Sequence, residues 1–193
     1  CRTLAEADAM IDACTRSHVQ LAIAHQTRYS PKIQVAKDLI SAGRLGKVVE
    51  LRGRGKEDRR GGGEDLWVLG THIFDLIRIF GGEASWCQSL VTDGGRPVKR
   101  SDVYQGKEGI GALAADRVEA MYGLEGGLTA YFSSHRHCAG KPTRFGLDIL
   151  GSEGILQIHT GYLPDMKLLR DSSWSPGQTG SKWVDVSSAG EAK

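Results

Sequence analysis

The spacing of apolar residues changes once along this chain, near residue 83, and that switch limits the possible folds more than any other feature. Before it, apolar residues mostly recur at helical spacing; after it, they alternate between glycine-rich turns. Leu4, Ala7, Met10, Ile11 and Cys14 share one helical face, with Thr3 as N-cap and Glu6 at capping-box spacing. Residues 19–24 are a short apolar run that predicts a buried strand, so a helix leads straight into a strand, which is half of a βαβ crossover. Pro31 opens a second helix carrying Ile33, Ala36, Leu39 and Ile40 on one side.

Residues 47–56 alternate, with Val49, Leu51, Gly53 and Gly55 opposite Arg52, Arg54 and Lys56, which predicts a strand with one charged face. Gly61-Gly62-Gly63 is a break, and residues 66–80 read as one mostly buried helix closed by Gly81-Gly82. Residues 85–91 form a strand, and residues 94–111 read as a loop. Two hairpins follow, around Glu125-Gly126-Gly127 and around Gly151-Ser152-Glu153-Gly154. Residues 167–170 and 182–186 are weaker strands. The expected fold is α+β: a mixed, mainly antiparallel sheet with helices on one face. No later helix is available to cover the second face, which predicts a homodimer or homotetramer through the open sheet.

Charge excludes one class of partner. With 25 basic and 23 acidic side chains the net charge is +2, too balanced for the field of a nucleic-acid binder. No apolar run approaches a bilayer span, so no membrane partner is expected, and the four scattered cysteines predict free thiols in a reducing, cytoplasmic setting. His135 and His137 would share a strand face by alternation, but no third ligand lies near them in sequence, so no metal site is assigned.

Four stretches together resemble the glucose-fructose oxidoreductase/inositol dehydrogenase (Gfo/Idh/MocA) family. Residues 61–75, GGGEDLWVLGTHIFD, resemble its glycine-rich, His-containing segment. Gln26-Thr-Arg-Tyr-Ser-Pro31 resembles the N-x-R-F-x-P that opens its second domain. Gly43-Arg-Leu-Gly-Lys-Val48 and Gly151-Ser-Glu-Gly-Ile-Leu156 resemble its G-x-I-G-x-V and G-x-x-G-x-L. The resemblance implies that residues 1–27 are the last helix and strand of a truncated N-terminal Rossmann domain. Residues 28–193 would then be a C-terminal substrate-binding and oligomerisation domain.

It also implies an oxidoreductase using NAD or NADP, bound mainly by the missing domain, and acting on a carbohydrate-like small molecule. Such a reaction needs a base for the hydroxyl proton, and imidazole titrates in the useful range. The family's His corresponds to His72, the expected catalytic residue, whereas its Asp position holds Val68, which can neither orient an imidazole nor accept a proton. Asp75, one helical turn beyond His72, is expected at the substrate, and Arg54 and Lys56 belong to a basic cluster suited to an anionic substrate group. His25 and Gln26, at the end of the predicted strand, are expected near the nicotinamide. Glu64 and Asp65 read as caps of the following helix, and Arg28 and Tyr29 as braces of the domain junction.

Two other readings stay open. One is a family member that uses nicotinamide transiently, for glycoside cleavage or elimination; the other is a non-enzymatic assembly protein that associates through the sheet. Without a dinucleotide site, the 193-residue chain alone is expected to be inactive.

Overall fold

Alternation along residues 117–159 produces the centre of a ten-stranded sheet in the computed structural model of the chain, which describes residues 1–161 and 163–192. The elements are α1 (Leu4–Arg16), a 3-10 turn (Gln26–Tyr29), α2 (Pro31–Ser41), β1 (Val48–Arg54), α3 (Gly63–Val68) and α4 (Gly70–Gly81). Then come β2 (Ala84–Asp93), β3 (Arg96–Pro97), β4 (Tyr104–Gln105), β5 (Ala112–Leu113), β6 (Arg117–Leu124) and β7 (Thr129–His135). The chain continues through β8 (Gly146–Gly151), β9 (Gly154–His159), β10 (Asp165–Leu169), α5 (Pro176–Thr179), β11 (Val184–Ser187) and β12 (Gly190–Glu191).

The sheet order is β12-β11-β10-β9-β8-β1-β7-β6-β2-β3. β1 runs parallel to β7, while β8 and the remaining described pairs are antiparallel. The fold is therefore α+β with a mixed, mainly antiparallel sheet. β4 and β5 pair separately within and just beyond the expected loop 94–111.

One face of the sheet carries the core. Leu51, Ala130, Phe132, Leu147, Ile149, Leu156, Ile158, Met166 and Leu168 point to it and meet Ile33, Ala36 and Leu39 of α2 and Ile73, Leu76 and Ile77 of α4. Each Leu, Ile, Met or Phe side chain among them contributes about 1.5–3 kcal/mol on burial. Gly53 sets the helix–sheet distance, because a Cβ there would overlap Cγ2 of Ile73. A register shift between Val48 and Glu50 leaves Val49 exposed, contrary to the simple alternation.

Several local expectations are corrected. Residues 19–24 form no strand; Val19, Leu21 and Ile23 are exposed, because among the described residues no strand lies beside them to share a ladder. The apolar face of α1 is likewise unpacked, with Leu4 and Ile11 exposed. Its cap is half the expected box: Thr3 accepts from Glu6 N at 3.1 Å, but the Glu6 carboxylate turns to Arg2 N.

The single helix expected over 66–80 is two helices, joined at Leu69, and the first begins at Gly63. Gly62 takes the N-cap position, so Glu64 and Asp65 are first-turn residues and not caps. Asp65 turns inward, accepting from Ser134 Oγ at 2.7 Å. Gly61, Gly62 and Gly63 are wedged against the backbones of 135–136 and 114–116, where any Cβ would overlap. That close approach, rather than looseness, explains three glycines in a row.

Candidate functional site

The break at Leu69 starts α4 afresh at Gly70, which places His72 in the first turn of a 12-residue helix. Three residues later, and so on the same side, is Asp75. The 3-10 turn brings His25 and Arg28 onto this side of α4. Arg28 Nε donates to both Asp75 carboxylate oxygens, at 3.0 and 2.9 Å, and its Nη2 adds a further bond. His25 Nδ1 lies 3.5 Å from Asp75 Oδ1, and the His25 and His72 rings meet edge to face with centroids 5.1 Å apart. Arg28, Asp75, His25 and His72 thus form one contiguous polar cluster.

Electrostatics bias this cluster toward a neutral His72. Burial of the ring pushes its pKa below the ordinary 6.5; the neighbouring His25 adds to that, and Asp75 opposes it. The positive end of the α4 dipole acts in the same direction as burial. A half-buried imidazole held in its free-base form can accept a proton from a hydroxyl group placed against it. The Arg28 guanidinium, by contrast, is raised above its usual value by its bonds to Asp75. Arg78, the alternative partner for Asp75 on sequence spacing, pairs with Glu83.

The expected basic clamp is not assembled at this cluster. Arg52 and Arg54 project from the sheet face opposite Gly53, on which α4 packs, so Arg54 and His72 lie on opposite sides of the sheet. Arg54 Nη1 bonds Glu57 at 3.0 Å, and Lys56 Nζ lies 3.8 Å from Asp58. Arg60 also grips Asp58, holding that carboxyl below its usual value. Gln26 is exposed at the start of the 3-10 turn. His137 falls beyond β7 in a turn with φ 61°, so it does not share a strand face with His135, whose Nε2 lies 2.6 Å from Glu119. Among the described residues no group of three or more His, Cys, Asp or Glu side chains could hold a metal ion.

Two features carried no sequence signal. Glu57 is almost fully buried at φ 59° and ties together Arg54, Arg144 and His135 N. The open sheet face also holds a groove of about 790 Å³, lined by residues from β1, β2, β6, β7, β8 and β9. Asp148 in that groove accepts from Gln157 Nε2 at 3.1 Å, and burial raises its pKa above the usual 3.8. A raised carboxyl costs the fold stability as pH climbs above 3.8 and through its native value. Asp148→Asn, which keeps the acceptor, should therefore raise the thermal midpoint at pH 7.5 and leave it unchanged near pH 3. An equal shift at both values would refute this charge-burial account.

The family model for the GFO/IDH/MocA C-terminal domain matches residues 33–157. None of the curated protein sequences matches the chain. Among solved structures, a levoglucosan dehydrogenase in complex with NADH and levoglucosan is similar, with a TM-score of 0.69 and 21% identity, over 98% of this chain and 53% of that one. A UDP-N-acetylglucosamine 3-dehydrogenase from Acidithiobacillus ferrooxidans gives 0.62 and 20% over 100% and 54%. An oxidoreductase from Agrobacterium radiobacter, in complex with NAD+, L-tartaric acid and magnesium, gives 0.61 and 16% over 98% and 52%. The chain spans about half the length of the structures it matches.

Proposed function

Because the chain belongs to the GFO/IDH/MocA family, we propose that it is the substrate-binding half of an NAD(P)-dependent oxidoreductase acting on a sugar, a polyol or a derivative. The observation that carries the reading is His72, an imidazole biased to its neutral form at the start of α4 and backed by Asp75 and His25. The sugar and nicotinamide complexes among the similar structures support the substrate class and cofactor.

In this proposal His72 takes the hydroxyl proton of the substrate alcohol. The nicotinamide, when bound, supplies the hydride acceptor. Asp75, gripped by Arg28 and one turn from His72, would lie at the substrate beside it. His25 and Gln26 border the nicotinamide ring. Among the described elements no G-x-G-x-x-G loop joins a strand to a helix, so the dinucleotide phosphates would be held by a preceding domain. Residues 1–27 belong with that domain: the exposed Leu4, Ile11, Val19, Leu21 and Ile23 are the apolar surface it would cover.

The test is absorbance of reduced nicotinamide with the full encoded protein, NAD or NADP, and a panel of sugars and polyols. Reduced cofactor formed one-for-one with oxidised product supports the dehydrogenase. Product without net cofactor reduction would instead indicate transient redox chemistry, which the loss of the carboxylate at Val68 keeps open. Neither signal would leave an assembly protein. The 193-residue chain alone should give no cofactor reduction.

The open sheet face is proposed as a homo-oligomeric interface. Trp86, Leu90 and Tyr131 are exposed on that face, which also carries Arg52, Asp148 and Glu119, a mixture of apolar and charged groups suited to self-association. Leu90→Glu combined with Tyr131→Glu should convert a dimer at micromolar concentration into a monomer by sedimentation velocity. A monomeric wild type would sink the proposal.

A further inference from the structure

Position 68 holds a valine, so no carboxylate at that position orients the His72 ring, and a base that is to act must be oriented by something else. The cluster described above supplies a candidate. Resting on the reading of His72 as the base, we propose that His25 is a positioning residue for it: lying beside Asp75, its ring meets the His72 ring edge to face and fixes that ring in one orientation and one protonation state.

Arg28 binds the Asp75 carboxylate through two nitrogens, so the carboxylate cannot rotate freely. Asp75 is 8% exposed, which keeps water from competing for its oxygens. Oδ1 lies 3.5 Å from His25 Nδ1, and the same His25 ring is the one that meets His72. The ring planes cross at 65° with centroids 5.1 Å apart, an edge-to-face contact that disfavours free rotation of either ring.

The groups facing His72 are then His25 from the segment before the 3-10 turn, Asp75 from its own helix, and Arg28 through Asp75. Protonating both rings would place two cations in contact, and the opposing pull of Asp75 on His72 is shared with Arg28. His72 is thereby kept as an acceptor without a carboxylate beside it at position 68. Sequence gave His25 a place near the nicotinamide; the same location now adds a task on the substrate side.

Nitrogen-15 NMR of the histidine rings in the full encoded protein tests this without turnover. Comparison of wild type, His25→Phe, His25→Asn and Asp75→Asn follows the His72 titration midpoint and tautomer. His25→Phe keeps a ring edge but removes the proton-bearing nitrogens, so the His72 midpoint should move up; Asp75→Asn should move it down, since Asp75 raises it. His25→Asn should, in addition, mix the two His72 tautomers. Backbone spectra matching wild type establish that each variant is folded.

A midpoint and tautomer unchanged in both His25 variants would overturn the proposal, as burial alone would then set the state of His72. In the full encoded protein, His25→Phe should lower kcat roughly 10- to 100-fold with KM within about twofold. It should also move the acid limb of kcat/KM to higher pH. NMR shifts as expected with a wild type that oxidises no alcohol would overturn the dehydrogenase reading while leaving the His25–His72 coupling in place. Unchanged NMR with an active wild type would overturn the positioning role alone.

Discussion

His72→Ala in the full encoded protein is expected to lower kcat/KM by roughly 10²- to 10⁴-fold, the usual contribution of a positioned general base. Nicotinamide affinity should stay at the wild-type value, because His72 sits on α4 and not on a dinucleotide-binding element. The loss should appear mainly in kcat, since the proton is transferred only in the transition state. In wild type, activity should fall as pH drops through the His72 pKa, and burial places that limb below 6.5. The same depression links to stability: His72 contributes fully above 6.5, and its contribution is lost as pH falls through the native pKa. An alanine variant with wild-type kcat/KM would remove His72 from the chemistry and leave the glycine-rich segment a purely structural motif.

Gly62→Ala is expected to cost the fold about 3 kcal/mol, from two effects that add. Gly62 has φ 80° and ψ −136°, a region in which an L side chain costs on the order of 1–3 kcal/mol. A Cβ there would also approach Ala115 O and Asp116 C to 2.6 Å, and backbone carbonyls cannot swing aside as a flexible side chain does. Overpacking of this kind typically adds about 1–3 kcal/mol. A domain stable by about 5–15 kcal/mol would then lose a large share of its margin. Urea unfolding should show a lowered midpoint with an unchanged slope. Gly126→Ala is the internal control. Its φ of 74° is also left-handed, but nothing lies within 4 Å of the added Cβ, so it should cost only about 1–2 kcal/mol. Equal losses at the two sites would show that backbone strain, and not the wedge, dominates.

What local pattern encodes was readable from sequence alone. The strands that became β6 to β9, their two glycine turns, the Pro31 start of α2 and the amphipathic register of Ile33, Ala36 and Leu39 all depend on neighbours in sequence. The family resemblance likewise rested on spacing, and the match over residues 33–157 bears it out. His72 and Asp75 could be singled out because both lie in one short segment.

Only the tertiary structure decided the rest, because it depends on groups far apart in the chain. Arg28 reaches Asp75 across 47 positions, and Ser134 reaches Asp65 across 69. Asp65 therefore turned inward rather than capping its helix, and the 66–80 segment split at Leu69. The apolar run at 19–24 shows the converse. Its sequence favours a buried strand, but a ladder requires a neighbouring strand, and none among the described residues pairs with it. Arg54 and His72 were candidates for one site until the pleat of β1 sent Arg54 to the face away from α4. Periodicity fixes which residues share a face; which face meets which helix is set by long-range packing alone.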